Sequence, residues 1–204
     1  MNAQTVPTKG NLIAIKKSLG LAKTGFDLLD KKRNILVREL MTLIDHANEI
    51  QDIIDSSYSK AYLALQNANI TLGICEELAC TVPIDDTLKL SYRSVMGVEI
   101  PIVSIEETST DQVPFGLLSS SSALDEAYLL FLKVKQLTAK LAEIENSIYR
   151  LAKSIKKTQK RANALKNIII PKFHKTLKFI SDTLEEKDRE DFSRLKVIKE
   201  QHFL

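Results

Sequence analysis

Residues 12–50 read LIAIKKSLGLAKTGFDLLDKKRNILVRELMTLIDHANEI, and this stretch decides the fold because its apolar residues recur at alternating steps of three and four. With Leu12 as position a of a heptad, the register continues to Cys75, and nine of ten a positions and seven of nine d positions are apolar. The polar exceptions are Arg33, Ser57 and Thr71. No proline interrupts residues 8–82. Such a run of unbroken heptads predicts a long helix with a coiled-coil seam.

The C-terminal part of the chain carries a second seam. Its positions are Val134, Leu137, Leu141, Ile144, Ile148, Leu151, Ile155, Thr158, Ala162, Leu165 and Ile169, of which only Thr158 is polar. Pro171 then falls inside the pattern and removes one backbone hydrogen bond, so we expect a local kink or a change of supercoil at Pro171. The apolar positions resume at Phe173, Leu177, Ile180 and Leu184.

The middle of the chain has a different periodicity. Residues 88–105, LKLSYRSVMGVEIPIVSI, alternate apolar and polar side chains around Met96-Gly97. This pattern predicts a short β-hairpin that includes Tyr92 and Ile100, with Met96 and Gly97 in the turn. Pro101 must then lie where the ladder needs no N–H donor.

Two long seams joined by a compact middle predict that the chain folds back on itself. We expect a mainly α fold, a long antiparallel two-helix left-handed coiled coil with a short β-hairpin and loop segment at the turn end. The predicted parts are an N-terminal helix (residues 1–75), an acidic loop and hairpin segment (76–120) and a C-terminal helix (121–204), together one elongated structural unit. Because the second helix is longer, its C-terminal end is expected to extend past the start of the first.

The net charge of +3 over 204 residues conceals three differently charged segments. Residues 1–75 carry a net +2, residues 76–126 a net −8 and residues 127–204 a net +9, which favours partners at distinct places along the chain. No apolar run approaches the ~18 residues of a membrane helix, and we see no secretory signal. We therefore expect a cytoplasmic protein without direct membrane insertion.

The sequence offers no convergent polar groups for an enzyme. His46, His174 and His202 lie far apart, and Cys75 and Cys80 lack the spacing of a zinc or redox motif. The two glycines at P-loop spacing, Gly20 and Gly25, are not followed by Lys-Ser/Thr. We expect no catalytic residues, no cofactor and no metal.

One stretch is unusual in charge. Between Asn146 and Ser181 there is no acidic residue, while ten are basic: Arg150, Lys153, Lys156, Lys157, Lys160, Arg161, Lys166, Lys172, Lys175 and Lys178. Such a face can bind nucleic acid, an anionic membrane surface or a protein with an acidic lining, or it can simply be solvated. The few aromatic residues and the absence of a recognisable reading module argue against nucleic acid.

Both ends of the chain resemble the D subunit of the V-type (V/A-type) ATPases. The N-terminal match comprises Pro7-Thr8-Lys9, Leu12, Leu19, Ala22, Gly25, Leu28-Leu29, Lys31-Lys32-Arg33 and Leu36. The C-terminal match comprises Arg161, Asn163-Ala164-Leu165, Ile170-Pro171, Thr176, Ile180, Leu184-Glu185-Glu186, Arg189-Glu190, Phe192 and Arg194-Leu195-Lys196. The sequence departs from the family pattern at Lys166, at His174-Lys175 and at Ser193.

This resemblance implies a non-catalytic central-stalk protein, a rotor shaft that couples ATP synthesis or hydrolysis to proton or sodium transport. The partners implied are the catalytic and non-catalytic A and B subunits of the ring, the small F subunit of the stalk and the funnel-shaped C/d subunit, at the cytoplasmic face of the membrane. We predict that the ring-contact face comprises Arg150, Lys153, Lys156, Lys157, Lys160 and Arg161. The alternative is a free-standing coiled-coil adaptor or secretion-apparatus stalk, which would share the seams but lack the C-terminal match.

Overall fold

A computed structural model describes residues 6–82, 84, 86–105, 115, 116 and 120–201 of the chain. The elements in chain order are α1 (Lys9–Leu72), α2 (Glu76–Ala79), β1 (Leu88–Val95), β2 (Val98–Ile105), α3 (Ser122–Ala164), a π-helix (Leu165–Ile169) and α4 (Ile170–Gln201). They divide between two compact units, here called the terminal unit (Met1–Ile35 with Ile155–Leu204) and the central unit (Leu36–Ser154). The fold is mainly helical, as the heptads predict.

Local signals fix both ends of α1. Thr8 caps the N-terminus, because its Oγ1 accepts a hydrogen bond of 3.2 Å from the Asn11 N–H. At the other end Gly73 has a positive φ of 79°, and its N–H donates to the Asn69 carbonyl at 3.0 Å. A glycine in this left-handed conformation just past the last helical residue is a common helix stop.

The buried side chains of α1 follow the predicted heptad. Each of them lies at an a or a d position, and together they are Leu19, Ala22, Leu36, Ile54, Ala61, Ala64 and Ala68. In the C-terminal seam, Val134, Leu151, Thr158 and Ala162 are buried as well. The seam that the sequence predicts is therefore the packed face of α1.

Helices in the terminal unit pack antiparallel. The Lys9 ammonium lies 3.7 Å from a carboxylate oxygen of Asp188, and Arg33 donates to Gln159 Oε1 at 2.9 Å. Between these pairs, the Lys166 ammonium lies 5.8 Å from the ring centroid of Phe26. Residue numbers thus increase along α1 as they decrease along the C-terminal helices, so the paired helices run in opposite directions. Beyond Asp188, residues 189–199 and Gln201 are all exposed, consistent with an unpaired helix end.

The central unit shows the same antiparallel order with a different seam composition. Tyr58 lies within hydrogen-bonding distance of Thr138, at 3.4 Å, and the ring of Tyr62 meets Phe131 edge to face with centroids 5.6 Å apart. Here the buried residues of α1 include Ala61, Ala64 and Ala68. Alanines on one side of a seam leave room for bulky side chains from the other side.

The predicted β-hairpin is confirmed. β1 and β2 pair antiparallel with Val95 opposite Val98, so that Met96 and Gly97 form a two-residue loop. Both loop residues have positive φ, 51° and 74°, as a type I′ turn requires. Ile100 is buried at 3% exposure.

The turn before Pro171 is a π-helix rather than an α-helix. The Ile170 N–H donates to the Leu165 carbonyl, five residues back. Pro171 has no N–H to offer Asn167, so the ordinary α-helical bond cannot form there. Our placement of Ile169 in the seam was wrong: it is 37% exposed, and Ile170 is half-buried instead. The extra residue of the π-helix displaces Ile169 from the packed face.

The packing of α1 yields a stability prediction. Leu36→Ala should lower the free energy of unfolding by about 2–5 kcal/mol, because the Leu36 side chain has no solvent exposure and leaves a cavity. Leu28→Ala is the matched control, since Leu28 is 62% exposed. It should cost less than about 1 kcal/mol. Urea unfolding followed by far-UV circular dichroism measures both, and equal losses would contradict the seam assignment.

Candidate interaction surfaces

The described residues bring together no group of His, Cys, Asp and Glu that could hold a metal ion. His46 lies 3.6 Å from Glu49 on the exposed side of α1, His174 is exposed on α4, and His202 lies outside the described residues. Cys75 is buried and Cys80 is exposed, both as free thiols. Gly20 and Gly25 lie within α1 and not in a loop. Among the helices in the described part of the chain, none is long and apolar enough to cross a membrane.

The six basic residues predicted to contact the ring are all exposed on α3. An α-helix turns by ~100° per residue. Lys153, Lys157 and Lys160 therefore project from the side of α3 opposite the buried Leu151, Thr158 and Ala162. We call Arg150, Lys153, Lys156, Lys157, Lys160 and Arg161 the basic face. Within the described residues, none of the six forms an ion pair with a carboxylate.

Arg150 differs from the rest of the basic face because it contacts the hairpin. Its Nη1 donates to the Glu99 carbonyl at 3.2 Å, and its guanidinium carbon lies 5.4 Å from the ring centroid of Tyr92. These contacts fix Arg150 beside β1 and β2 without neutralising its charge. Arg150 therefore belongs to the hairpin's docking site as well as to the basic face.

A polar layer interrupts the seam of the terminal unit. Arg33, the one charged residue at an a or d position of α1, donates across the helix pair to Gln159. Its guanidinium also lies 2.8 Å from a carboxylate oxygen of Asp30 and donates to Asn34 at 3.1 Å. Gln159 in turn donates to Asn163 at 2.9 Å. The layer therefore satisfies the guanidinium with three acceptors, so the charge is tolerated in a half-buried position.

Pro171 and the lysines around it lie on the exposed side of the terminal unit. Pro171, Lys172, Lys175 and Lys178 are exposed, and so is Ile168 within the π-helix, at 65%. Lys166, in the π-helix, lies beside an aromatic ring, that of Phe26. The π-helix therefore marks a change in helix geometry beside a cluster of solvated positive charge.

The hairpin is anchored to α3 by side chains that sequence reasoning missed. Glu143 accepts a hydrogen bond of 2.8 Å from the Val103 N–H, next to the Arg150 contact described above. The signal available in the sequence was weak: Glu143 and Glu145 are the only acidic residues between positions 127 and 181. Between β1 and α3 lies a groove of about 300 Å³, lined by Leu88, Leu90, Tyr92, Pro101, Val103, Ala139, Ala142, Glu143, Asn146 and Arg150.

A second, apolar cavity of about 150 Å³ lies in the central unit. Its lining includes the buried residues Cys75, Phe115 and Leu124. The ring of Phe115 meets Tyr128 edge to face at 5.7 Å. These residues form the hydrophobic cluster that packs around the end of α1.

Comparison with known proteins gives one consistent result. The family model of the ATP synthase D subunit matches residues 11–200. The V-type ATP synthase D subunit of Thermotoga neapolitana is 49% identical over 196 residues, covering 95% of this chain and 96% of the relative. The A-type ATP synthase D subunits of Thermococcus kodakarensis and Pyrococcus furiosus are 37% and 36% identical over 197 residues, covering 95% of this chain and 92% of each relative.

These matches span both seams, the hairpin and the helix that carries the basic face. The family model and the relatives agree over nearly the whole length of the chain. This chain therefore belongs to the ATP synthase D-subunit family.

Proposed function

We propose that this chain is the central stalk, or rotor shaft, of a V-type ATP synthase/ATPase. It is a non-catalytic component that couples ATP synthesis or hydrolysis in the catalytic ring to proton or sodium translocation by rotating. Membership of the D-subunit family supports this proposal. So does the arrangement of the helices, because within each unit the helices pack antiparallel, and a packed pair of helices resists twisting better than a single helix.

The observation that carries the proposal is the basic face. Its six side chains are solvated, lie opposite the packed seam of α3 and have no carboxylate partner within the described chain. Clustered like charges repel one another and give the chain little stability of its own. A partner with an acidic lining would compensate them. We infer that the ring of A and B subunits supplies that lining around Arg150, Lys153, Lys156, Lys157, Lys160 and Arg161.

A rotor shaft must also be asymmetric, so that each orientation favours a different state of the ring. Three features of the terminal unit supply asymmetry: the π-helix before Pro171, the polar layer around Arg33, and the exposed residues 189–199 of α4. The ring would therefore meet a different surface at each angle of rotation.

The remaining partners follow from the same proposal. We place the small F subunit of the stalk on the helix pair, and the funnel-shaped C/d subunit between this chain and the membrane ring. The chain itself would be peripheral, at the cytoplasmic face of the membrane. We assign the hairpin, which is docked on α3 through Glu143 and Arg150, to contacts with other subunits near the base of the stalk.

Rotation can be tested directly through the cysteines. Cys80 is exposed and Cys75 is buried, so a maleimide–biotin reagent should label Cys80 selectively. With the ring anchored to a surface and a bead attached at Cys80, ATP should drive stepwise rotation in one direction. A ring that hydrolyses ATP while the bound bead stays still would refute the shaft assignment. If the chain does not join the ring, the alternative of a free-standing coiled-coil adaptor becomes the better interpretation.

Charge reversal tests the basic face. Lys156→Glu, Lys157→Glu and Lys160→Glu together should weaken assembly with the ring by roughly tenfold or more at low salt, because each exposed ion pair is worth up to about 1 kcal/mol. The defect should shrink at physiological salt, where the Debye length is about 8 Å. Affinity measured by titrating the ring at both salt concentrations gives the result.

A matched control carries the same change of charge elsewhere. Lys60→Glu, Lys133→Glu and Lys140→Glu reverse three exposed lysines of the central unit outside the basic face. This variant should assemble with near wild-type affinity. If both triple variants weaken binding to the ring equally, the net charge of the chain alone explains the effect, and the basic face is not the ring-contact surface.

Deleting the hairpin tests its role. Replacing residues 88–105 by a short Gly/Ser linker should leave the helix pairs folded, because the a and d seam residues lie outside the segment. Binding of the F subunit or stimulation of the ring's ATPase activity should change. Ser104→Ala, which removes one exposed hydroxyl from β2, is the control and should change neither. Wild-type behaviour of the deletion variant in both assays would count against an interaction role.

A further inference from the structure

The apolar seam of the terminal unit does little to fix how far its helices are shifted along one another. Within residues 12–35 and 155–184 the seam positions are apolar, except for Arg33 on α1 and Thr158 on α3. A shift by one heptad, about 10.5 Å along the helix axis, would again place apolar side chains opposite apolar side chains. A contact that distinguishes one heptad from the next can therefore select the alignment.

Two side-chain contacts cross between the helices of this unit one heptad apart. The Arg33 guanidinium donates to Gln159 at 2.9 Å, and the Lys166 ammonium lies 5.8 Å from the ring centroid of Phe26. Arg33 and Phe26 are seven residues apart on α1, and Lys166 and Gln159 are seven residues apart on the opposite side. The two contacts therefore occupy equivalent places in successive heptads.

A shift by one heptad exchanges the partners of these two contacts. In one direction Arg33 comes opposite Lys166, so that two positive charges meet. In the other direction Gln159 comes opposite Phe26, and its amide oxygen faces an aromatic ring instead of a donor. In both shifted alignments Arg33 loses Gln159 as its acceptor on the other helix.

The side chains of the Arg33–Gln159 contact are also held on their own helices. The Arg33 guanidinium lies 2.8 Å from a carboxylate oxygen of Asp30 and donates to Asn34 at 3.1 Å. Gln159 donates to Asn163 at 2.9 Å. Because both side chains are fixed locally, neither can follow the other through a displacement of about 10.5 Å.

We propose that Arg33 and Gln159, here called the register pair, fix the alignment of α1 with α3 in the terminal unit. A polar residue at one seam position of a coiled coil can specify the alignment at a cost in stability. Arg33 is the positioning residue, because it contacts both helices. The register pair also sets where Lys156, Lys157 and Lys160 lie along α1, since these lysines flank Gln159 on α3.

Thiol cross-linking in the isolated full chain measures the alignment. Gly25 lies close to the opposite helix, because a Cβ at this position would be 4.0 Å from Leu165 Cδ1. With both native cysteines replaced by alanine, Gly25→Cys paired with Leu165→Cys reports the observed alignment. Gly25→Cys paired with Thr158→Cys reports a shift in one direction. Gly25→Cys paired with Phe173→Cys reports the other shift, since the π-helix adds one residue there. Dibromobimane, which fluoresces when it joins two thiols, gives the yield for each pair.

Arg33→Leu should change the alignment without destabilising the chain. With Arg33 present, the pair at positions 25 and 165 should cross-link and the two shifted pairs should not. Arg33→Leu should raise cross-linking of a shifted pair roughly tenfold or more, because a lost hydrogen bond to a charged group changes the population by at least that factor. The thermal unfolding midpoint should stay unchanged or rise. Cross-linking confined to positions 25 and 165 in Arg33→Leu would refute the register pair, whatever the midpoint.

Gln159→Leu is the second variant, and it leaves the contacts of Arg33 with Asp30 and Asn34 in place. It should raise the shifted cross-links as well, and it decides the matter if Arg33→Leu does not fold. Loss of the folded state in both variants would overturn the proposal, because the contact would then be needed for folding and not for alignment.

Lys23→Leu is the matched control. It removes one positive charge from an exposed position of α1 in the same unit and should keep the wild-type pattern of cross-links. An equal rise of shifted cross-links in Lys23→Leu would trace the effect to the charge of α1 in general, and the register pair would be refuted. The experiment uses no partner protein, so its failure leaves the proposed function unaffected.

Discussion

Packing of the a and d side chains of α1 against the C-terminal helices is the interaction on which the rest of the structure depends. A single helix is marginally stable in water, and its stability in proteins comes mostly from a buried apolar face. Here that face is nearly continuous, and the buried residues of α1 lie on it without exception. Once the seam fixes the rotation of α3, the opposite side of α3 is fixed too, and that side carries the basic face. The hairpin likewise depends on α3, whose Glu143 and Arg150 hold it in place.

The sequence predicts the regular parts of this fold well, because they follow from local repetition. The heptads identify which residues of α1 are buried, and Met96-Gly97 identifies the hairpin turn, since glycine adopts positive φ without cost. The π-helix is different. Pro171 predicts an irregularity, but a count of heptads does not show which residue is surplus, so Ile169 was placed in the packed face that Ile170 occupies. That choice depends on the packing of the two helices together.

The candidate surfaces also differ in how far the sequence alone predicts them. The basic face is visible in the sequence, because six positive charges at helical spacing must share one side of a helix. The docking of the hairpin is not, because the bonds from Val103 to Glu143 and from Arg150 to Glu99 join residues 40 and 51 positions apart. Nor does alternation along a strand reveal which strand bonds to the helix. That both bonds come from β2 emerges only when α3 is in place beside the hairpin.

The π-helix also has a mechanical meaning. From Leu165 the packed positions advance by five residues to Ile170 and then by three and four to Phe173 and Leu177, so one residue is absorbed without turning the apolar side of α4 away from its partner. An α-helical turn at that point would have rotated everything beyond it by about 100°. At this single turn the helix therefore gains one residue without changing the direction in which the later apolar side chains point. In the rotor shaft that we propose, the π-helix would keep the apolar side of α4 facing its partner helix despite the surplus residue.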